Sequence, residues 1–142
     1  MAVSRVFWDT NLFIYLFEDS GELAGKVVDL RRRMLSRGDQ LFTSSLTLGE
    51  IVVKPLEMGN RELAKKYEEI LLKTCTLIPF DRKEALRFAE LRLDRTLRAP
   101  DAIQLACAAS AGIDLFITND TRLTQKVISN IQFITSLDGA PL

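Results

Sequence analysis

Two periods of apolar spacing alternate along this chain: short apolar runs of strand length, and longer stretches whose apolar residues recur at helical intervals. Residues 3–8 read as a first strand. Asp9-Thr10-Asn11 turns into a short apolar helix ending near Phe17, and Asp19-Ser20-Gly21 punctuates its end. Residues 22–37 have helical spacing and stop at Gly38, which suits the left-handed position after a helix. Residues 40–43 form a second strand. Ser44, Ser45 and Thr47 offer N-caps for a helix carrying Glu50, and Pro55 predicts a kink in it before Gly59. Asn60 caps a helix to about Thr74, with Leu63, Tyr67, Ile70 and Leu71 on one face. Residues 76–79 are a short third strand, and Asp81 with Glu84 makes a capping pair for a helix to about Arg95. Pro100 suits the first position of a helix closed by Gly112. Residues 115–118 form the next strand, 121–128 a helix and 132–134 a last strand. Strand and helix alternate throughout, so the pattern predicts one α/β domain over residues 1–142, a mainly parallel sheet with helices on both faces.

Composition narrows the chemistry. The chain is 142 residues long, 47% hydrophobic and 27% charged, as expected of a folded domain with one core. No apolar stretch reaches membrane-spanning length, so no membrane partner is expected. The N-terminal Met1-Ala2-Val3-Ser4-Arg5 enters a strand without the apolar core of a signal peptide, which predicts a cytoplasmic protein. There is no histidine, which removes Ser-His and Cys-His nucleophile pairs, histidine general bases and histidine-bound zinc together. Cys75 and Cys107 lie at a helix end and in a helix interior and read as small buried hydrophobes rather than a disulfide. Trp8 reads as core and Arg31-Arg32-Arg33 as an exposed helix face. Net charge is zero, so no broad basic face is advertised; any polyanion must meet a local patch or a bound cation.

Acids placed at element junctions carry the functional signal. Asp9 follows the apolar Val6-Phe7-Trp8, Asp120 follows a strand, and Glu50 and Asp101 sit early in helices. Taken one at a time, each has a structural explanation as a cap, a capping-box partner or a charge favoured by the helix dipole. In a parallel sheet, however, residues just past the strands gather at one edge, where ligands bind. Carboxylates brought within about 4 Å repel by roughly 4 kcal/mol per pair at an effective dielectric of 20. A cation offsets that cost, and an all-oxygen donor set suits Mg²⁺ or Mn²⁺.

The segments Phe7-Trp8-Asp9-Thr10-Asn11, Leu46-Thr47-Leu48-Gly49-Glu50, Ala99-Pro100-Asp101-Ala102-Ile103 with Leu105-Ala106-Cys107-Ala108, and Phe116-Ile117-Thr118-Asn119-Asp120 resemble, in order, the signature blocks of PIN-domain ribonucleases, most closely the VapC-type toxins of toxin–antitoxin pairs. That resemblance implies that Asp9, Glu50, Asp101 and Asp120 hold one or two Mg²⁺ or Mn²⁺ ions, that Asn11 and Thr118 orient the site, and that the reaction is hydrolysis of RNA phosphodiesters by activated water. It further implies a homodimer and a small antitoxin that blocks the acidic cleft. Arg92, Arg95 and Arg98 approach the Asp101 helix, and Arg95 and Arg98 are the candidates for RNA phosphate contacts. PIN domains in RNA processing, and catalytically silent PIN binding modules, are the alternatives. A receiver-like signalling domain wants an acid pair after the first strand, where this chain has Asp9-Thr10-Asn11; a haloacid-type phosphatase wants an aspartate where Asn11 stands.

Overall fold

The computed structural model describes residues 3–18 and 21–142. Its elements are β1 (Arg5–Trp8), α1 (Thr10–Phe17), α2 (Glu22–Arg37), β2 (Gln40–Ser44), α3 (Ser45–Glu57), α4 (Arg61–Thr74), β3 (Thr76–Ile78), α5 (Arg82–Leu91), α6 (Ala99–Ala111), β4 (Ile113–Ile117) and β5 (Ile131–Thr135). All strand pairs are parallel, in the order β3-β2-β1-β4-β5. The chain therefore winds outward from β1 through β2 to β3, then returns to the other side of β1 for β4 and β5. Neighbouring connections leave in opposite directions at the β1/β4 boundary, which opens a crevice at the carboxyl ends of those two strands.

Successive side chains of a strand point to opposite faces, and the core divides accordingly. Phe7 and Phe116 are register partners, stacked with centroids 4.9 Å apart, and with Phe42 they pack against α5 and α6. Val6, Trp8, Leu41, Leu115 and Ile117 point the other way, onto Leu12, Val27, Leu30, Met34, Ile51 and Leu71 of α1–α4. Small residues let α6 lie close on the sheet: Ala102, Ala106, Cys107 and Ala108 are fully buried. Both cysteines are free, Cys107 buried and Cys75 half-buried at the end of α4, and burial pushes each thiol up to about 12.

Several expectations are corrected. Residues 121–128 form turns rather than a helix. Leu123 and Ile128 are the buried residues there, a spacing that matches no helical stripe, and the Leu123 and Lys126 amides bond carbonyls three residues back. Helix α5 stops at Leu91, short of Arg95. Asp94 accepts the Thr96 amide at 3.0 Å and hydroxyl at 2.6 Å, and Lys126 Nζ lies 2.9 Å away; these bonds hold the Asp94 carboxyl down at about 2. Pro55 lies inside α3, which ends at Glu57, before Gly59. On α4 the buried positions are Ala64 and Leu71, while Ile70 is 40% exposed. The Arg31–Arg33 run is not one solvated face: Arg32 is exposed, whereas Arg31 donates to the Thr74 carbonyl and Arg33 to that of Leu142. The expected punctuation at Asp19-Ser20 lies outside the described residues.

Candidate active site at the carboxyl edge of the sheet

Asp9 is the first residue past β1, and its amide donates to Ile117 O at 3.0 Å, so the end of β4 fixes its backbone. Asp9 is 7% exposed, and its side chain accepts three hydrogen bonds: from Thr10 N at 2.9 Å, Gln104 Nε2 at 3.3 Å and Thr118 Oγ1 at 2.7 Å. Asp9 thus caps α1 and lines the crevice at once, so the cap does not compete with the expected place at the sheet edge. Burial raises its pKa above the ordinary value; the hydrogen bonds oppose that rise, while the charges of Asp101 and Glu50 add to it. That coupling places three of the four acids within one electrostatic neighbourhood.

A buried polar network stands behind the acids. Gln104, 2% exposed, donates from Nε2 to Thr10 Oγ1 and Thr47 Oγ1, each at 2.9 Å, and its carbonyl accepts the Ser44 hydroxyl. Thr10 Oγ1 donates to Glu50 Oε1 at 2.7 Å. Thr43 Oγ1 lies 2.9 Å from Trp8 O and 2.8 Å from Thr47 Oγ1. The sequence pattern offers Ser44 and Thr47 as helix caps; Ser44 precedes α3, but its hydroxyl serves Gln104, and Thr47 lies inside the helix. Sequence reasoning misses Gln104 and Thr10. A lone amide in the run Ala-Ile-Gln-Leu-Ala-Cys-Ala-Ala is the signal that could have found the first, because a fully buried polar group requires partners.

Thr118, just past β4, donates to Asp9 and accepts from the Asp120 amide at 3.1 Å and Asn11 Nδ2 at 3.4 Å. Asn11 Oδ1 in turn accepts the Asn119 amide at 3.3 Å. These two residues tie α1 to the loop that carries Asp120.

Asp9, Glu50, Asp101 and Asp120 all line one cleft of about 400 Å³, together with Thr10, Asn11, Gln104 and Arg98. A slightly larger depression of about 430 Å³ lies along α4 and its cap, lined by the exposed Glu62, Lys65, Lys66 and Glu69. Of the expected RNA-contacting arginines, Arg98 borders the acidic cleft and Arg95, in the turn before α6, does not.

Two guanidinium groups stand among the outer acids. Arg122 Nε donates to Asp120 Oδ1 at 2.9 Å, its Nη2 pairs with Asp120 Oδ2, and the same nitrogen lies 3.9 Å from Asp101 Oδ2. Arg98 Nε lies 3.4 Å from Asp101 Oδ2, and its Nη2 3.8 Å from Asp120 Oδ2. The Arg122 hydrogen bond is the main reason the Asp120 carboxyl titrates below its ordinary value. Among the described residues, no three acidic or thiol side chains are drawn together closely enough to enclose a metal ion. The donor set nevertheless suits a hard divalent cation in kind: carboxylates and hydroxyls converging on one cleft, with the buried Asp9 already crowded by like charge.

A family model for the PIN domain matches residues 6–128. The chain belongs to the PIN-domain family. Solved structures similar to this PIN domain include a chain of a toxin–antitoxin complex from Klebsiella pneumoniae, 25% identical, covering 89% of this chain and 94% of that one with a TM-score of 0.67. DNA-bound VapBC from Salmonella typhimurium matches at 18% identity, 95% and 99% coverage and a TM-score of 0.73. VapC20 of Mycobacterium tuberculosis, a toxin that cleaves the sarcin-ricin loop, matches at 17% identity, 86% and 96% coverage and a TM-score of 0.65. The last two likenesses establish the shared fold. No curated protein sequence matches the chain significantly. No described helix is long and apolar enough to cross a membrane.

Proposed function

We propose that this PIN domain is a Mg²⁺- or Mn²⁺-dependent endoribonuclease, acting in the cytoplasm as the toxin of a toxin–antitoxin pair. The observation that carries the reading is the meeting of Asp9, Glu50, Asp101 and Asp120 in one cleft at the β1/β4 crevice of a PIN fold. Those four carboxylates are the proposed ligands, with Asn11 and Thr118 keeping the loop after β4 in place against Asp9. A divalent ion held there supplies the Lewis acidity that activates water and offsets charge on the scissile phosphate.

The side chains define the remaining roles. Thr118, Gln104 and the Thr10 amide fix both oxygens of Asp9, so the deepest ligand is oriented before substrate arrives. Thr10 orients Glu50 by donating its only hydroxyl proton. The absence of histidine from the sequence fits a site in which bound carboxylates and water do the proton handling. Similarity to a chain of the Klebsiella pneumoniae toxin–antitoxin complex supports a small antitoxin partner for this chain too, and a homodimer belongs to the same proposal.

Inducible expression of wild type and Asp9→Asn at matched soluble levels, with RNA ends mapped, tests the proposal. Wild type should arrest growth and create new RNA ends, and Asp9→Asn should do neither, because asparagine keeps the shape and the cap but removes a ligand charge. Equal growth and identical ends would remove the toxin reading. A parallel assay on total RNA in vitro with and without Mn²⁺ would still detect a non-toxic processing nuclease, and inactivity there would favour a silent binding module.

A further inference from the structure

The outer half of the acidic cleft is built unlike the inner half. Asp9 and Glu50 are satisfied by neutral donors, whereas Asp101 and Asp120 are satisfied by cations, Arg98 and Arg122. The exposures within these ion pairs are unequal. The Asp101 and Asp120 side chains are 14% and 18% exposed, while those of Arg98 and Arg122 are 64% and 52% exposed. The carboxylates are fixed inside the cleft and the guanidinium groups reach in from solvent. Arg98 leaves the chain at the residue preceding α6 and Arg122 from the turn after Asp120, so neither stem is held in the core.

We propose that Arg98 and Arg122 hold Asp101 and Asp120 in the metal-free protein, yield them to the divalent ion, and then bind RNA backbone phosphates at the mouth of the cleft. The inference rests on the metal-dependent ribonuclease reading and deepens it by naming how the site loads and what grips the substrate. Charge supports the exchange. Two guanidinium groups neutralise two carboxylates, and one divalent cation does the same, so the acid pair stays neutral while two positive charges are released to the rim. Zero net charge advertises no broad basic face, so a local patch such as the charges freed beside the scissile bond is a natural source of phosphate contacts. Guanidinium forks fit phosphate oxygens as well as they fit carboxylates. Exposed pairs of this kind are individually weak, so an ion can displace them at modest cost.

The first experiment follows the arginines themselves in wild-type protein. With arginine side chains labelled with ¹⁵N, the Arg98 and Arg122 Nε signals should shift and their protons exchange faster with solvent across a Mg²⁺ titration, at the midpoint found by calorimetry. Mg²⁺ binding with both signals unmoved would overturn the exchange. No Mg²⁺ or Mn²⁺ binding at all would overturn the parent reading and this one with it, so the two failures are distinguishable. The second experiment uses R98Q/R122Q. Its apparent Mn²⁺ affinity should rise about tenfold, because the closed, arginine-held state no longer competes. Binding of a labelled single-stranded RNA of mixed sequence in Mg²⁺, its integrity checked by gel, should weaken, and the slope of log K against log salt should fall by roughly 1.4, about 0.7 per lost phosphate contact. Tighter Mn²⁺ binding with unchanged RNA affinity and salt slope would overturn the phosphate role, and unchanged Mn²⁺ affinity would overturn the competition.

Discussion

At the scale of single residues, Asp9 joins a structural duty to the chemistry proposed for it. It caps α1, receives Thr118 and Gln104, and is crowded by Asp101 and Glu50. Because burial raises its pKa, the folded state holds this proton more tightly than the unfolded chain does. Stability of the metal-free protein should therefore decline as pH rises from the ordinary 3.8 through the raised folded value. Asp9→Asn should flatten that part of the profile and be at least as stable as wild type at neutral pH in EDTA, as read from urea melts at several pH values. A profile with the wild-type slope would mean that another group carries it. Gln104 leads to a different expectation. Replacing it with leucine strands the Ser44 hydroxyl, its buried partner, and should cost about 1–3 kcal/mol in the same melts while weakening Mn²⁺ binding through Asp9.

Among the elements, those with strong punctuation were legible in the sequence. The glycines after α2 and α6 adopt the left-handed conformation their positions foretold, at φ 78° and 67°, and the Asp81/Glu84 capping box opens α5 as expected. An alanine at Gly112 meets the steric cost of that conformation, so Gly112→Ala should lower stability by about 1–2 kcal/mol, measurable as a shift in urea midpoint at unchanged m value. What misled was tertiary in origin. Residues 121–128 contain enough apolar residues to resemble a helix, but Leu123 and Ile128 are buried in the α5/α6 core while Val127 is 97% exposed. The turn that follows α5 rests partly on a local signal, Asp94 accepting the Thr96 amide and hydroxyl, and partly on the bond from Lys126 to Asp94, which joins residues 32 apart and has no local pattern. Gln104 was missed for the same reason: its partners come from β2, α1 and α3 and from Asp9 at the end of β1.

For the whole molecule, the parallel α/β architecture and the convergence of the acids could be anticipated because strand ends share an edge. Strand order could not, since nothing local states that β4 joins β1 rather than β3, and that order creates the crevice. If the cleft takes a divalent ion only in the folded state, Mn²⁺ at about a hundred times its dissociation constant should stabilise the protein by about 2.7 kcal/mol, with EDTA reversing the gain. A thermal melt unmoved by millimolar Mn²⁺ would contradict a metal-loaded site.

The bond from Thr118 to Asp9 spans 109 residues. Translation proceeds from the N-terminus at roughly 5–20 residues per second, so Asp9 and Glu50 emerge before Asp101, Thr118 and Asp120. Until β4 has left the exit tunnel and docked beside β1, Asp9 has neither its backbone partner Ile117 nor its hydroxyl donor. If the protein cuts RNA, its topology acts as a delay: the nascent chain remains harmless to the ribosome and message that are making it until β4 and the loop after it have been made.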